Sequence, residues 1–303
     1  MREVHGLWLR QAGTNAPAAP FGEAQDSPAP VNPLRPHRRD GGPRPRAARP
    51  VPDTRWRWSW LLAAPHRLSF FAAAVVMAAS SLWWAAVLVA RALGHTPALA
   101  VPPAPAHALL MSQGFMPLFI AGFLFTAGPR WLRLADDCVR ARDLRTPVAA
   151  MAGGWLAVIA GFHVHALLAA TGMAAVAGGW TSLSARYYAL LRRSTAADRS
   201  YPLLVGLACG IGAIAMWLGA VALLLDQTTL LRSATQLALW GFVATTFTVV
   251  SHRMIPFFTQ SALPFLDAWR PMWLLWLLLG ALWLSGLAAI AELWWRGLIC
   301  WHE

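Results

Sequence analysis

A helix that crosses the ~30 Å hydrocarbon core of a bilayer needs about 20 consecutive apolar residues, and runs of that length dominate this chain. Six apolar regions separate along it, at about 68–90, 107–128, 147–190, 202–225, 234–256 and 271–293. The region from 147 to 190 is about twice as long as one helix requires. Gly161-Phe162-His163-Val164-His165 near its middle supplies the break, so the region reads as two spans, about 146–162 and 166–190, joined by a tight turn. The expected fold class is therefore all-α, a polytopic bundle of seven transmembrane helices. Composition agrees, because 57% hydrophobic and 13% charged residues cannot cover the surface of a 303-residue soluble protein.

The arginines test the count independently, since loops on the cytoplasmic side of a membrane carry the excess of positive residues. The chain has no lysine, so its net charge of +12 is an arginine charge. Arg55, Arg57 and Arg67 precede the first span and Arg91 alone follows it. Arg130, Arg133, Arg140, Arg142 and Arg145 follow the second, and the turn between the third and fourth has none. Arg186, Arg192, Arg193 and Arg199 follow the fourth, Arg232 the fifth, Arg253 and Arg270 the sixth, and Arg296 the seventh. Dense and sparse segments alternate only if the 147–190 region is split. The pattern places the amino terminus in the cytoplasm and the carboxyl terminus in the periplasm of a multi-pass inner-membrane protein in contact with lipid. Arginine at loop–membrane junctions does not imply a nucleic-acid partner.

Residues 1–54 form a separate region, rich in proline and arginine, with runs such as Arg35-Pro36-His37-Arg38-Arg39 and no apolar periodicity. Such a segment cannot bury enough apolar surface to offset chain entropy and is expected to be a disordered cytoplasmic tail. Residues 55–303 are the transmembrane domain. The first apolar run begins near residue 68, too late for a secretory signal. Cys138, Cys209 and Cys300 form no CxxC or CxxCH pattern, which excludes a zinc site evident in the sequence and covalent attachment of c-type haem.

Ionisable residues at membrane depth point to function because burying them in hydrocarbon is costly. Glu292, near the end of the last span, is the one acid there, so a carboxylate proton or cation pathway has little to work with. Histidines remain, in two layers. His95, His107, His163 and His165 fall on the outer side, His66 and His252 on the inner. His107 and Met111 lie four apart on one helical face, a nitrogen and a soft thioether suited to copper or haem iron. His163 and His165 are about 200° apart on an ideal helix and serve one centre only if the turn there is not helical. Each outer histidine has an alternative role as a cap at the water interface. Thr245, Thr248 and His252 share a face of the sixth span, next to Ser251 and Arg253, and fit either interhelical hydrogen bonding or a ligand pathway. Pro117 and Pro256 are expected to bend the helices beside these sites. Gly206 and Gly210 with Gly212 form a small-residue surface for close packing. Trp56, Trp58, Trp60, Trp131, Trp269, Trp294 and Trp295 fall at span ends, where indole favours the headgroup layer. No nucleophile–base pair or carboxylate dyad appears, so no enzymatic reaction is assigned.

Three segments resemble the NnrS family of haem- and copper-containing bacterial inner-membrane proteins linked to nitric-oxide and denitrification metabolism. His107-Ala-Leu-Leu-Met111-Ser-Gln-Gly114-Phe115 and Ala121-Gly122-Phe123-Leu-Phe-Thr126-Ala-Gly-Pro129-Arg-Trp131 are similar to the family's H-x-H-E-M-x-x-G-F and A-G-F-L-x-T-A-x-P-x-W. His252-Arg253-Met254-Ile255-Pro256-Phe257-Phe258-Thr259 is similar to its R-x-I-P-x-F-T, and His66-Arg67 before Phe70-Phe71 to its R-P-F-F. The resemblance covers about residues 60–303. It implies copper at His107 and Met111 with help from His163 or His165, haem near His252 and His66, and nitric oxide or a related small molecule as ligand, in the response to nitrosative stress. Leu109 and Leu110 stand where the family often has a second histidine and a glutamate, so part of that site is missing. Family members commonly have about twelve helices, and a chain ending after seven is expected to be a truncated form. Two other readings stay open: a cofactor-free transporter or channel using the Thr245/Thr248/His252 stripe, and a non-functional truncated remnant.

Overall fold

The computed structural model describes residues 57–95, 97–135, 138–263 and 270–299. After a short 3₁₀ turn at Trp58–Ala63 come seven helices, each long and apolar enough to cross a membrane. They are α1 (Pro65–Ala92), α2 (Pro103–Trp131), α3 (Ala141–Val164), α4 (Ala166–Arg193), α5 (Ser200–Leu224), α6 (Thr228–Ala262) and α7 (Met272–Ile299). The seven expected spans are all present. Most helices run several residues past the apolar stretch, as in Ala141-Arg142-Asp143-Leu144 at the start of α3, because hydropathy marks the hydrocarbon rather than the helix. The expected tails and termini, with Trp56, Trp269 and Cys300, lie outside the described residues.

The α3–α4 break falls at His165, whose backbone is extended (φ −167°, ψ 140°). From this hinge the two helices return side by side along a seam of small residues. A Cβ on Gly154 would stand 2.6 Å from the Gly172 carbonyl oxygen, and one on Gly179 2.7 Å from the Pro147 carbonyl oxygen. One on Gly161 would collide with the Ala169 backbone. Backbones this close gain van der Waals contact that larger side chains would prevent. On α5, the Gly206/Gly210 surface is filled by Tyr188 of α4, whose hydroxyl donates to the Gly206 carbonyl at 2.6 Å. Gly212 faces the Phe242 ring of α6. Trp155, Trp180, Tyr187, Phe125 and Phe162 are fully buried, and the indole N–H of Trp180 reaches the Cys209 carbonyl at 3.0 Å.

Two helices contain a π-helical stretch, where the backbone bonds one residue further along and the helix widens. These are Leu110–Gly114 in α2 and Leu237–Ala244 in α6, and they pack against each other. Such widenings recur at functional sites. Pro117 sits just past the first of them, in the opening turn of the resumed α-helix, where its missing N–H costs nothing. The seventh helix packs most loosely: 17% of its apolar stretch is buried, against 61% for α2. Grooves consequently line its contact with α6.

Alternating helix directions divide the loops between two ends of the bundle. At one end Ser194 after α4 donates to the Leu132 carbonyl after α2, and the arginine-dense loops gather there. At the other end the Ala100 N–H donates to the Phe162 carbonyl, and Trp294 of α7 donates to Ser233 of α6.

Candidate functional site

At the arginine-poor end, His107 near the start of α2 lies flat on Trp84 of α1, ring centroids 4.0 Å apart and planes 13° apart. Its Nδ1 is buried without a hydrogen-bond partner. A polar ring nitrogen in that condition costs about 1–3 kcal/mol unless something else occupies it. Met111, one turn on and partly buried, opens the π stretch with Leu110. Gln113 in the same stretch is wholly buried, and neither atom of its amide has a protein partner. Next to it, a Cβ on Gly114 would stand 3.6 Å from the Ser80 hydroxyl of α1, which is also buried and unpaired. His107 and Gln113 of α2 and Ser80 of α1 thus each carry a buried polar atom without a protein partner.

The other outer histidines are engaged differently. His163 Nε2 accepts from the Trp83 indole N–H at 2.8 Å, which requires that nitrogen to be unprotonated. Trp83 packs on Trp84 at 6.0 Å, so the row His163–Trp83–Trp84–His107 places two indoles between the imidazoles. The backbone at His165 is non-helical, the condition for it to join His163, but its Nδ1 accepts from the Leu167 N–H at 3.0 Å and caps α4. His95 follows α1 in an exposed loop.

At the arginine-rich end, His252 of α6 is held from both sides. Its Nδ1 meets the Tyr201 hydroxyl at 3.1 Å, with the rings stacked, and its Nε2 meets the Pro271 carbonyl at 3.3 Å. Arg253 lies over the Tyr201 and Trp131 rings at 5.2 and 5.1 Å. Asp198, in the loop before α5, accepts from the Ser200 N–H at 2.9 Å. That bond first, and the nearby arginines Arg253 and Arg270 more weakly, hold its carboxyl below the usual range. His252 lines a cavity of about 480 Å³ between α6 and α7, with apolar walls and Thr248, Ser251, Arg270 and Ser285 as its polar points. The stripe expected on α6 divides here. Thr248 and His252 face the cavity, while Thr245 is buried, donating to the Trp240 carbonyl at 2.8 Å and accepting from Trp283 at 2.9 Å. His66 lines a different cavity, between the start of α1, α2 and α3, and its Nδ1 lies 3.4 Å from the Thr126 hydroxyl. The structure does not bring it to His252.

Among the described residues no three of His, Cys, Asp and Glu converge on one point. The candidate donors are accordingly few: His107, with Met111 one turn along the same helix, at one end, and His252 at the other. A match to the family model for the NnrS protein spans residues 60–301, nearly the whole transmembrane domain. The chain belongs to the NnrS family. No curated protein and no solved structure matches it. Sequence reasoning missed three side chains of these two candidate sites in the NnrS-family chain, Trp84 and Gln113 at one end and Tyr201 at the other. Gln113 was detectable as a lone amide in an apolar span. Trp84 and Tyr201 carried no local signal, because their roles depend on which helices pack together.

Proposed function

We propose that this chain is an NnrS-type protein of the bacterial inner membrane that binds copper through His107 and Met111 and haem beside His252, and acts in the response to nitric oxide. The observation that carries the reading is the buried, unpartnered Nδ1 of His107, stacked on Trp84 with a thioether one turn away. The donor set fits a soft ion, since imidazole and thioether together favour Cu(I). Trp84 fixes the imidazole plane, and burial excludes water from the nitrogen. At His252 the fit to haem rests on the 480 Å³ apolar cavity and on Tyr201. A histidine that binds iron through one nitrogen is oriented by a hydrogen bond at the other, and the Tyr201 hydroxyl takes that place at Nδ1. The Nε2 contact to Pro271, at 3.3 Å, is the longer of the two and the one a ligand would replace. When bound, these groups supply coordination positions for a small diatomic ligand.

A transporter reading draws on the same α6–α7 cavity with Thr248 and Ser251 on its wall. The two readings separate in a reduced-minus-oxidised optical spectrum and a metal analysis of the purified protein from haem- and copper-replete cells. Soret and α bands with near-stoichiometric copper are expected. Well-folded protein carrying neither overturns the cofactor reading and leaves the transporter and remnant readings.

A further inference from the structure

A bond to an imidazole nitrogen lies in the plane of the ring. The His107 plane runs within 13° of the Trp84 plane, with the ring centroids 4.0 Å apart. An ion on the buried, unpartnered Nδ1 of His107 is therefore held alongside the indole, at about the separation of the two rings. A metal–nitrogen bond of about 2 Å is short against the width of an indole, so the ion stays inside the ~6 Å within which an aromatic face attracts a cation. Trp84 has little freedom to leave, because it is partly buried against the core with the Trp83 ring 6.0 Å away. Tryptophan presents the strongest such face, and the attraction grows when water is excluded.

The ligand atoms available at this position are few. They are the imidazole nitrogen and the thioether of Met111 one turn along the same helix, and among the described residues no group of three His, Cys, Asp and Glu adds to them. A divalent ion such as Zn²⁺ takes four ligand atoms, whereas soft donors select Cu(I). An indole face attracts positive charge without supplying a lone pair, so it suits a monovalent ion with few donors. We propose that Trp84 is a third, ligand-free contact of Cu(I) on His107, holding the ion by a cation–π interaction as well as orienting the imidazole. The proposal rests on the copper reading of His107 and adds to it a residue that coordinates nothing.

The test is competition for Cu(I) against a chromophoric chelator, without oxygen, on the full chain in detergent, together with an ultraviolet difference spectrum of loaded against metal-free protein. In the wild type, loading should shift the indole absorption. Trp84→Leu should weaken Cu(I) binding by about 30-fold, the equivalent of a desolvated cation–π contact of ~2 kcal/mol. Trp84→Phe keeps a flat ring with a weaker face, and should lose about fivefold in affinity and abolish the indole shift. It carries the test by itself if the leucine variant does not fold. Trp217→Phe removes an exposed indole of α5 that donates to Thr181, and should keep both the affinity and the shift. Affinity unchanged in Trp84→Phe, or an indole shift that survives there, reduces Trp84 to a support for the imidazole and overturns the contact. Wild-type protein that binds no Cu(I) overturns the copper reading instead, so the two failures are distinct.

Discussion

The two histidine sites of this NnrS protein use one side chain in opposite states. At the arginine-poor end His107 is pinned by stacking on Trp84, and its buried Nδ1 has no partner. At the arginine-rich end His252 has both ring nitrogens engaged, by Tyr201 and Pro271, beside an open cavity. The first is a ring held in place with one nitrogen unsatisfied, which the proposed function reads as a donor. The second is a satisfied ring that a ligand would claim by exchanging one contact. The difference teaches that a histidine in a membrane span is diagnosed by what its nitrogens lack. His165 Nδ1 caps α4 and His163 Nε2 accepts from Trp83, so each of these has one ring nitrogen engaged.

Substitutions break or sharpen that contrast. The largest effect is expected at the prepared site. His107→Ala should weaken Cu(I) binding by about 100-fold or more, above the range for loss of a supporting residue, while His252→Ala leaves it unchanged; competition with a chromophoric chelator reads both. The next concerns the satisfied site. Tyr201→Phe removes the hydroxyl that orients His252 and should lower haem retention by about tenfold, with copper untouched; pyridine haemochrome and metal assays on one preparation separate the two. A smaller effect is expected at His165→Ala, where the lost cap of α4 should cost about 1 kcal/mol of thermal stability with both cofactors retained. Any loss of copper there would mean that the outer histidines act together. Smallest is His107→Phe in metal-free protein. An aromatic ring without a polar nitrogen should leave stability unchanged or raise it by up to about 1 kcal/mol, measured by thermal unfolding in detergent. A clear fall would mean that the imidazole has a structural partner.

Much of the fold was legible in residue types because transfer free energies act locally. The apolar runs and the alternation of arginines were enough for seven spans, and the splitting of 147–190 placed the break within Gly161–His165, of which the hinge is the last residue. The Gly154/Gly161 and Gly172/Gly179 seam was written at seven-residue intervals on both helices but passed unread beside Gly206 and Gly210. The site was legible only in part. His107 and Met111 were found from spacing on one helix, which needs no knowledge of neighbours. The π stretches at Leu110–Gly114 and Leu237–Ala244 have no composition of their own and arise where two helices accommodate each other. The partners Trp84 and Tyr201 lie far from their histidines in sequence, so no pattern joined them. His66 and His252 shared a layer by topology, yet helices α1 and α6 carry them to separate cavities.

The central claim is that the unpartnered nitrogen of His107 is a metal position. Copper analysis of the wild type and His107→Phe, purified side by side from copper-replete cells at matched thermal stability, tests it most directly. The account predicts near-stoichiometric copper in the wild type and almost none in the variant. Equal copper in both would contradict it.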